Sequence, residues 1–270
     1  TNDGDKDVRA ASRPATSEIK LEAEKADYKE GPKGTGRKPS SLSLAHLLCE
    51  RACRNFSIAS DLNWFLKVES EGDARDHYTA ILVAFTKELR SSKEGREWEE
   101  ALRFQEALLQ DLANLQRQAK SSGGRTDNWI TTLRNLMQEP DGAYAHLNAF
   151  QTPVRCPLRP SDKLMGIIPS KTTMFKSAMA PLLVTFKTQN NGSKRWIFKS
   201  GDDLRQDQLV MCLIELMDGL FKMLNLDLKL TPYRILATST SQGLVEFVEG
   251  STTLSKIRQE TIIDAKIGTE

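Results

Sequence analysis

The spacing of the apolar residues changes partway along the chain, and this change limits the possible folds more than any other feature. From residue 41 to about residue 137, large apolar side chains recur every three to four positions, as on one face of an α-helix. After Pro153 the pattern becomes short β-branched runs separated by prolines and turn residues. A block of helices followed by a block of strands is typical of an α+β fold.

We predict three segments, covering residues 1–40, 41–152 and 153–270. The first is charged and has few large apolar side chains, so it cannot offset the entropy lost on ordering and is expected to be disordered. A short helix over residues 17–28 would be marginal on its own. The second segment is an all-helical domain with linker helices, and the third is a small antiparallel sheet with one helix.

Within the third segment, residues 182–186 and 194–199 form a predicted strand pair, because Asn190-Asn-Gly192 between them is a strong hairpin signal. An amphipathic helix follows and is expected to pack on the sheet. Its apolar positions keep helical spacing: Val210, Leu213, Ile214, Met217, Leu220, Phe221 and Leu224. Further strands are predicted around residues 228–230, 234–237 and 244–248, with a turn at residues 241–243.

Composition narrows the class of protein. The formal net charge of +2 and the pI near 8.3 do not indicate a nucleic-acid partner. No run approaches the roughly 18 apolar residues of a membrane span, and the first residues lack the apolar core of a signal peptide. Four scattered cysteines favour a cytosolic protein with reduced thiols.

Two apparent ligand motifs are rejected. His46, Cys49 and Cys53 share one helical face, but no fourth zinc ligand lies nearby and the flanking residues favour a packing face. Residues 31–38 (GPKGTGRK) suggest a phosphate-binding loop, yet Arg37 stands where the lysine is needed and no strand precedes the loop. A flexible basic linker is the better interpretation.

The segment from Trp196 to Asp207 (WIFKSGDDLRQD) carries the strongest chemical signal. It predicts a strand ending in Lys199, a tight turn, and a helix start that Asp202 or Asp203 can cap. A rigidly held lysine can bind phosphate oxygens as a compact point charge. The spacing alone is equally compatible with an ordinary strand-turn-helix whose lysine faces solvent.

Several runs together resemble the catalytic domain of the phosphatidylinositol 3-kinases: residues 166–169 (GIIP), 175–181 (FKSAMAP), 197–208 (IFKSGDDLRQDQ), 225–234 (NLDLKLTPYR) and 235–240 (ILATST). The second and fourth runs are most similar to the class III, vacuolar-sorting member, and residues 64–70 resemble its helical accessory domain. The resemblance covers roughly residues 41–255. Ser200 stands where the family prefers a histidine before Gly201.

The resemblance implies an accessory helical domain followed by a kinase N-lobe that binds ATP. Ser177 would lie on the loop that covers the ATP phosphates, and Lys199 would contact the α-phosphate. Asp207 and Tyr233 would line the inner adenine pocket. The backbone of Glu246 and Val248 would bind adenine at the hinge. Without the neighbouring motifs, Tyr233 would be a core aromatic and residues 246–248 an edge strand.

The family's catalytic Asp-Arg-His-x-x-Asn loop and its metal-binding Asp-Phe-Gly turn do not occur in this sequence, whose three histidines all precede Lys199. The resemblance therefore implies that the C-lobe is absent, and with it the ligands for Mg²⁺ or Mn²⁺. Residues 251–270 resemble nothing downstream in the family. We expect the chain alone to be inactive and to bind ATP weakly, as a fragment or a short form.

The intact family member would phosphorylate the 3-hydroxyl of phosphatidylinositol in endosomal sorting and autophagy. Its expected partners are a protein-kinase-like regulatory subunit and an autophagy or sorting adaptor. Its expected location is cytoplasmic, peripheral on endosomal and autophagosomal membranes. Two alternatives remain: a non-catalytic truncated form that binds the regulatory subunit, and a phosphatidylinositol 4-kinase or related protein kinase, against which the loop at residues 175–181 argues.

Overall fold

A computed structural model describes residues 43–259; the predicted disordered segment and the helix predicted over residues 17–28 lie outside them. Five α-helices come first, as the helical spacing predicts. They are α1 (Leu44–Ala52), α2 (Phe56–Glu69), α3 (Arg75–Leu89), α4 (Lys93–Ser121) and α5 (Thr126–Gln138).

Short polar side chains start three of these helices. Asn55 Oδ1 accepts hydrogen bonds from the N–H groups of Ser57 and Ile58 at the start of α2. Ser43 Oγ accepts from His46 N–H at the start of α1, and Ser92 Oγ accepts from Gly95 N–H at 2.9 Å at the start of α4. Such caps satisfy N–H groups that lack a partner within the helix.

The second half forms one antiparallel sheet and a sixth helix. The strands are β1 (Val154–Arg155), β2 (Lys163–Ile167), β3 (Thr173–Met174), β4 (Leu182–Thr188), β5 (Ser193–Ser200), β6 (Ile235–Ser239) and β7 (Gln242–Glu246), and the helix is α6 (Arg205–Met223). Their order is β1-β2-β4-β5-β7-β6, with β3 paired to β4. The α+β fold class is confirmed, and β5 lies inside the sheet between β4 and β7.

The predicted hairpin between β4 and β5 is present, with Leu182 opposite Phe198 and Asn191 in the left-handed conformation (φ 57°) at the turn. The strand predicted around residues 228–230 is wrong. Residues 225–234 form no regular element, and Lys229 has φ 58°, which interrupts an extended run. The last hairpin turns at residues 240–241, slightly earlier than predicted.

Helices α4 and α5 pack on the sheet and share one core with it. Leu112 and Leu115 of α4 and Leu133 of α5 belong to the same buried cluster as Phe186 and Phe198 of the sheet. A second cluster joins α1, α2 and α3 to the first part of α4. The boundary predicted between residues 152 and 153 stays a prediction. Among the described helices, none is both long and apolar enough to cross a membrane.

Helix α6 is present as predicted, but the burial predicted for its apolar stripe is wrong. Leu213 and Leu220 are 50% and 51% exposed, and Asp218 is the one buried residue within Arg205–Met223. The helix instead meets β6 through Gln208, whose Oε1 accepts from Ala237 N–H at 2.8 Å. Apolar residues also occupy positions 209, 216 and 223, so they surround most of the helix and their spacing does not select the face that packs.

The exposure of α6 predicts that its leucines contribute little to stability. Leu216→Ala should change the free energy of unfolding by less than about 0.5 kcal/mol, because Leu216 is 59% exposed. Leu244→Ala, in the sheet core at 0% exposure, should cost about 2–5 kcal/mol. Urea denaturation of the two variants measures this difference. Equal losses would show that α6 is buried in solution.

The cysteines should differ in reactivity, because the thiolate is the reacting form. Burial raises the pKa of Cys156 to about 12, and burial together with the nearby Glu88 raises the pKa of Cys53 to about 11. Cys212 is exposed on α6. Iodoacetamide at pH 8, followed by mass spectrometry, should label Cys212 first, whereas unfolded protein should label all four evenly. Equal labelling of the folded protein would contradict this arrangement.

Candidate functional site

Lys199 lies where the sequence predicts, one residue before the end of strand β5. Trp196 and Phe198 are 3% and 0% exposed on one face of the strand, while Ile197 and Lys199 are half-buried on the other. Phe198 points into the core, so the alternation of the strand directs Lys199 away from it. Its Nζ forms an ion pair with Asp202 Oδ2 at 2.7 Å. The lysine is therefore partly exposed and already has a counterion.

The turn after Lys199 is tied to the neighbouring hairpin. The N–H groups of Gly201 and Asp202 donate to the carbonyl oxygen of Ser241 at 2.7 and 3.1 Å. Gly201 has φ 91°, and a Cβ at this position would overlap the Cε of Met179. The backbone conformation favours glycine here, and the flexible end of the Met179 side chain packs against it. Met179 comes from the loop at residues 175–180, so that loop and the lysine turn are in contact.

The loop at residues 175–180, called the 175–180 loop below, is folded tightly on itself. Ala180 N–H donates to the carbonyl oxygen of Ser177 at 3.1 Å and to its Oγ at 3.2 Å. Phe175 N–H donates to the carbonyl oxygen of Pro181 at 2.9 Å, closing the base of the loop. Ala180 is fully buried and adopts φ 47°, an unusual conformation for a residue with a Cβ. The predicted phosphate-covering Ser177 therefore stabilises the loop itself.

At the start of α6, Asp207 is exposed in the first turn. The predicted cap is only partly right. Leu204 occupies the cap position, whereas Asp203 Oδ1 accepts from the N–H of Arg205 at 3.1 Å. Hydrogen bonds from the Arg205 side chain and backbone lower the pKa of Asp203. Asp202, the other predicted cap, pairs with Lys199 instead.

Glu246 ends β7 and is held by Arg159. The guanidinium donates from Nε and Nη2 to the two carboxylate oxygens at 2.9 and 2.8 Å. Glu246 N–H donates to the carbonyl oxygen of Arg234, but the return bond from Arg234 N–H goes to Glu246 Oε2. The Glu246 carbonyl oxygen thus lacks the cross-strand donor that a regular ladder would supply.

Burial opposes ionisation of Glu246, but the hydrogen bonds from Arg159 and from Arg234 N–H outweigh it and lower the pKa of this carboxyl. Val248 follows β7, and its carbonyl oxygen accepts from the N–H and the hydroxyl of Ser251. Within residues 43–259, no hydrogen bond is recorded for Val248 N–H. Within the described part of the chain, the Glu246 carbonyl oxygen and the Val248 N–H are thus an acceptor and a donor without a hydrogen-bond partner, which is the polarity needed to bind an adenine edge.

The structure brings some of the predicted residues together. The 175–180 loop touches the turn after Lys199, and β7 connects that turn to Glu246 and Val248, with Gly243 opposite Lys199. Tyr233 is half-buried just before β6. In the described chain, neither Asp207 nor Tyr233 is recorded in a hydrogen bond or ion pair with another predicted site residue. The roles of all six residues stay predictions.

The contacts that Arg159, Asp202 and Met179 make in this region were not predicted. The bond between Arg159 and Glu246 joins residues 87 positions apart, and no local pattern signals such a pair. Asp202 could have been anticipated, because it lies only three positions from Lys199 across a turn. Over residues 43–259, no group of three or more His, Cys, Asp or Glu side chains is arranged to hold a metal ion.

The known proteins that this chain resembles are phosphatidylinositol kinases. The model for phosphatidylinositol 3- and 4-kinases matches residues 193–268. The chain is 39% identical over 226 residues to the root isoform of phosphatidylinositol 3-kinase from Glycine max, covering 80% of this chain and 27% of that protein. It is 42% identical over 215 residues to phosphatidylinositol 3-kinase pik3 of Schizosaccharomyces pombe, covering 79% and 26%.

Phosphatidylinositol 3-kinase VPS34 of Arabidopsis thaliana is 38% identical over 229 residues, with 80% and 27% covered. The resemblance to class III phosphatidylinositol 3-kinases is thereby confirmed, and the chain spans about a quarter of the length of these relatives. The family match extends to residue 268, so the prediction that residues 251–270 resemble nothing in the family was wrong. Apolar residues are few in this stretch and gave a weak signal.

The ion pair between Arg159 and Glu246 should stabilise the fold at neutral pH. Glu246→Gln should lower the free energy of unfolding by about 1.5–3 kcal/mol, the usual range for hydrogen bonds to charged groups. Because the folded-state pKa is lowered, this contribution is present above the unfolded pKa of about 4.3 and is lost as the pH falls through the folded-state pKa.

Urea denaturation at several pH values measures the effect. Glu249→Gln is the matched control, because Glu249 also pairs with an arginine but is 64% exposed and should contribute little. A difference between Glu246→Gln and the unsubstituted chain that persisted unchanged at pH 3 would contradict the role given to the ionised carboxylate.

Proposed function

We propose that this chain is the ATP-binding half of a class III phosphatidylinositol 3-kinase. The observation that carries the proposal is the placement of Lys199. It lies on the outward face of an interior strand, and the turn that follows it is in contact with the 175–180 loop. The sequence similarity to proteins named phosphatidylinositol 3-kinases supports the same assignment.

The phosphate end of the nucleotide would bind between Lys199 and the 175–180 loop. Lys199 supplies a positive charge whose direction is fixed by the buried neighbours Trp196 and Phe198. Within the described residues, the N–H groups of Lys176, Ala178 and Met179 are recorded in no hydrogen bond. Free backbone donors on a tight loop can bind phosphate oxygens without a glycine-rich sequence.

The adenine end would bind at residues 246–248. The Glu246 carbonyl oxygen and the Val248 N–H are an acceptor and a donor close together in the chain, at the end of β7, the strand that pairs with β5. Tyr233 and Asp207 would line the inner part of the pocket. The Arg159 pair holds Glu246 through its side chain and leaves its backbone available. These residues bind and orient the nucleotide.

In the complete enzyme, the γ-phosphate of ATP would pass to the 3-hydroxyl of phosphatidylinositol. Mg²⁺ or Mn²⁺ would neutralise phosphate charge there, bound by residues of the kinase C-lobe. The chain alone would bind nucleotide weakly and transfer no phosphate.

Its setting would be the cytoplasmic face of endosomal and autophagosomal membranes, with a protein-kinase-like regulatory subunit and an autophagy or sorting adaptor. The family match also includes 4-kinases, but the relatives compared above are named 3-kinases, which favours the 3-kinase.

Substitution of the lysine tests the proposal. Lys199→Met should weaken ATP binding by the chain about tenfold or more while leaving adenosine binding unchanged, because only the phosphates contact this cation. Calorimetric titration with ATP and with adenosine, up to millimolar concentration, measures both affinities.

Lys194→Met is the matched control, since Lys194 lies on the same strand but pairs with Asp162. It should leave both affinities unchanged. No detectable ATP binding by the unsubstituted chain, or equal ATP affinity after Lys199→Met, would refute the proposed function.

A further inference from the structure

We infer that Gln116, on helix α4, is a positioning residue that holds the 175–180 loop in the shape needed to bind nucleotide phosphates. This inference rests on the proposed function. It assigns a role in the nucleotide site to a residue of the helical half of the chain, far in sequence from every predicted site residue.

The contact is direct and buried. Gln116 is 4% exposed, and its Nε2 donates to the carbonyl oxygens of Met179 at 3.0 Å and Ala180 at 2.9 Å. One turn further along α4, Lys120 Nζ donates to the carbonyl oxygen of Ala178 at 3.2 Å. Three successive carbonyl groups of the loop therefore point towards α4.

The orientation of these carbonyl groups matters for binding an anion. A carbonyl oxygen carries partial negative charge and repels phosphate, whereas a backbone N–H attracts it. With the carbonyl groups held against α4, the Ala178 and Met179 N–H groups, recorded in no hydrogen bond within residues 43–259, remain available as donors. Loss of the Gln116 amide would leave the carbonyl groups of Met179 and Ala180 free to turn towards the phosphates.

The bonds also stabilise an unusual backbone conformation. Ala180 is fully buried and has φ 47°, a conformation that is unfavourable for a residue with a Cβ. The backbone at Ala180 should therefore change conformation if the hydrogen bonds of the loop are removed. Its carbonyl oxygen is one of the two that Gln116 holds. Glutamine is long enough to reach the loop from the helix, and its amide can bond two oxygens at once.

The same contact reaches Lys199 through packing. Gln116 holds the backbone of Met179, and the Met179 side chain lies against Gly201, in the turn after Lys199. Within the described residues, that turn is also held by backbone bonds to Ser241 and by the ion pair between Lys199 and Asp202. A shift of Met179 would therefore change the loop and the lysine turn together, which is why α4 can influence the binding of phosphate.

A buried glutamine can also serve stability alone, and the chain offers a matched comparison. Gln105 lies on the same helix, is 0% exposed, and donates through Nε2 to the carbonyl oxygen of Arg155 at 3.0 Å. Its Oε1 accepts from Trp64 Nε1 at 3.1 Å. Gln105 makes no recorded contact with the 175–180 loop, so substitution there should disturb folding without disturbing phosphate binding.

The experiment compares ATP and adenosine binding by the full chain. Gln116→Met should lower the ratio of ATP to adenosine affinity about tenfold, with adenosine affinity unchanged, because only the phosphates depend on the loop. Gln105→Met should leave the ratio unchanged even where urea denaturation shows a similar loss of stability. Gln116→Asn, which keeps the amide but shortens its reach, should behave like Gln116→Met and provides a second, milder variant.

An unchanged ratio in a folded Gln116 variant, together with a reduced ratio in Lys199→Met, would overturn this inference and leave the proposed function standing. An equal fall in Gln105→Met would also overturn it, because the effect would then belong to general destabilisation of α4. An unchanged ratio in Lys199→Met would instead refute the proposed function on which the inference rests.

Discussion

The two-residue repeat of strand β5 determines the geometry of the whole candidate site. Trp196 and Phe198 are buried between the sheet and its helices, so Lys199 must lie on the opposite face. A register shift of one residue would exchange these faces and move the lysine into the core. Such a shift is opposed on both sides, because β5 pairs with β4 along its length and with β7 at its end. The position of the cation is therefore enforced by apolar burial.

The helical half of the chain completes the sheet's core, rather than standing beside it. Helices α4 and α5 supply Leu112, Leu115 and Leu133 to the cluster that contains Phe186 and Phe198. Helix α4 also bonds the backbone of the 175–180 loop, and Arg134 of α5 donates to the carbonyl oxygen of Thr172 at 3.1 Å. The loop is thus shaped by a surface that belongs to another part of the sequence.

Local interactions explain what could be predicted from the sequence. Ser92 starts a helix, and Asn191 accepts the left-handed conformation of a hairpin turn; each does so through contacts within a few residues. The pairing of Arg159 with Glu246 and of Gln116 with the loop joins distant residues, so no spacing reveals it. Helix α6 could be predicted as a helix, but its buried face could not, because apolar residues lie on most of its sides. The candidate site was predicted from several runs that together resemble phosphatidylinositol 3-kinase motifs, whereas the spacing around Lys199 alone was equally compatible with an ordinary strand-turn-helix.

The ion pair between Lys199 and Asp202 has a consequence for any anion that binds there. Asp202 lies only three residues from Lys199 in the same chain. Its carboxylate therefore has a high effective concentration at the lysine, whatever the concentration of other anions in solution. A phosphate must displace this internal competitor, and its net gain is the difference between two charge-assisted contacts. Weakly charged anions such as carboxylates gain almost nothing from that exchange. In the proposed site, a multiply charged ligand would therefore gain more from this exchange than a singly charged one.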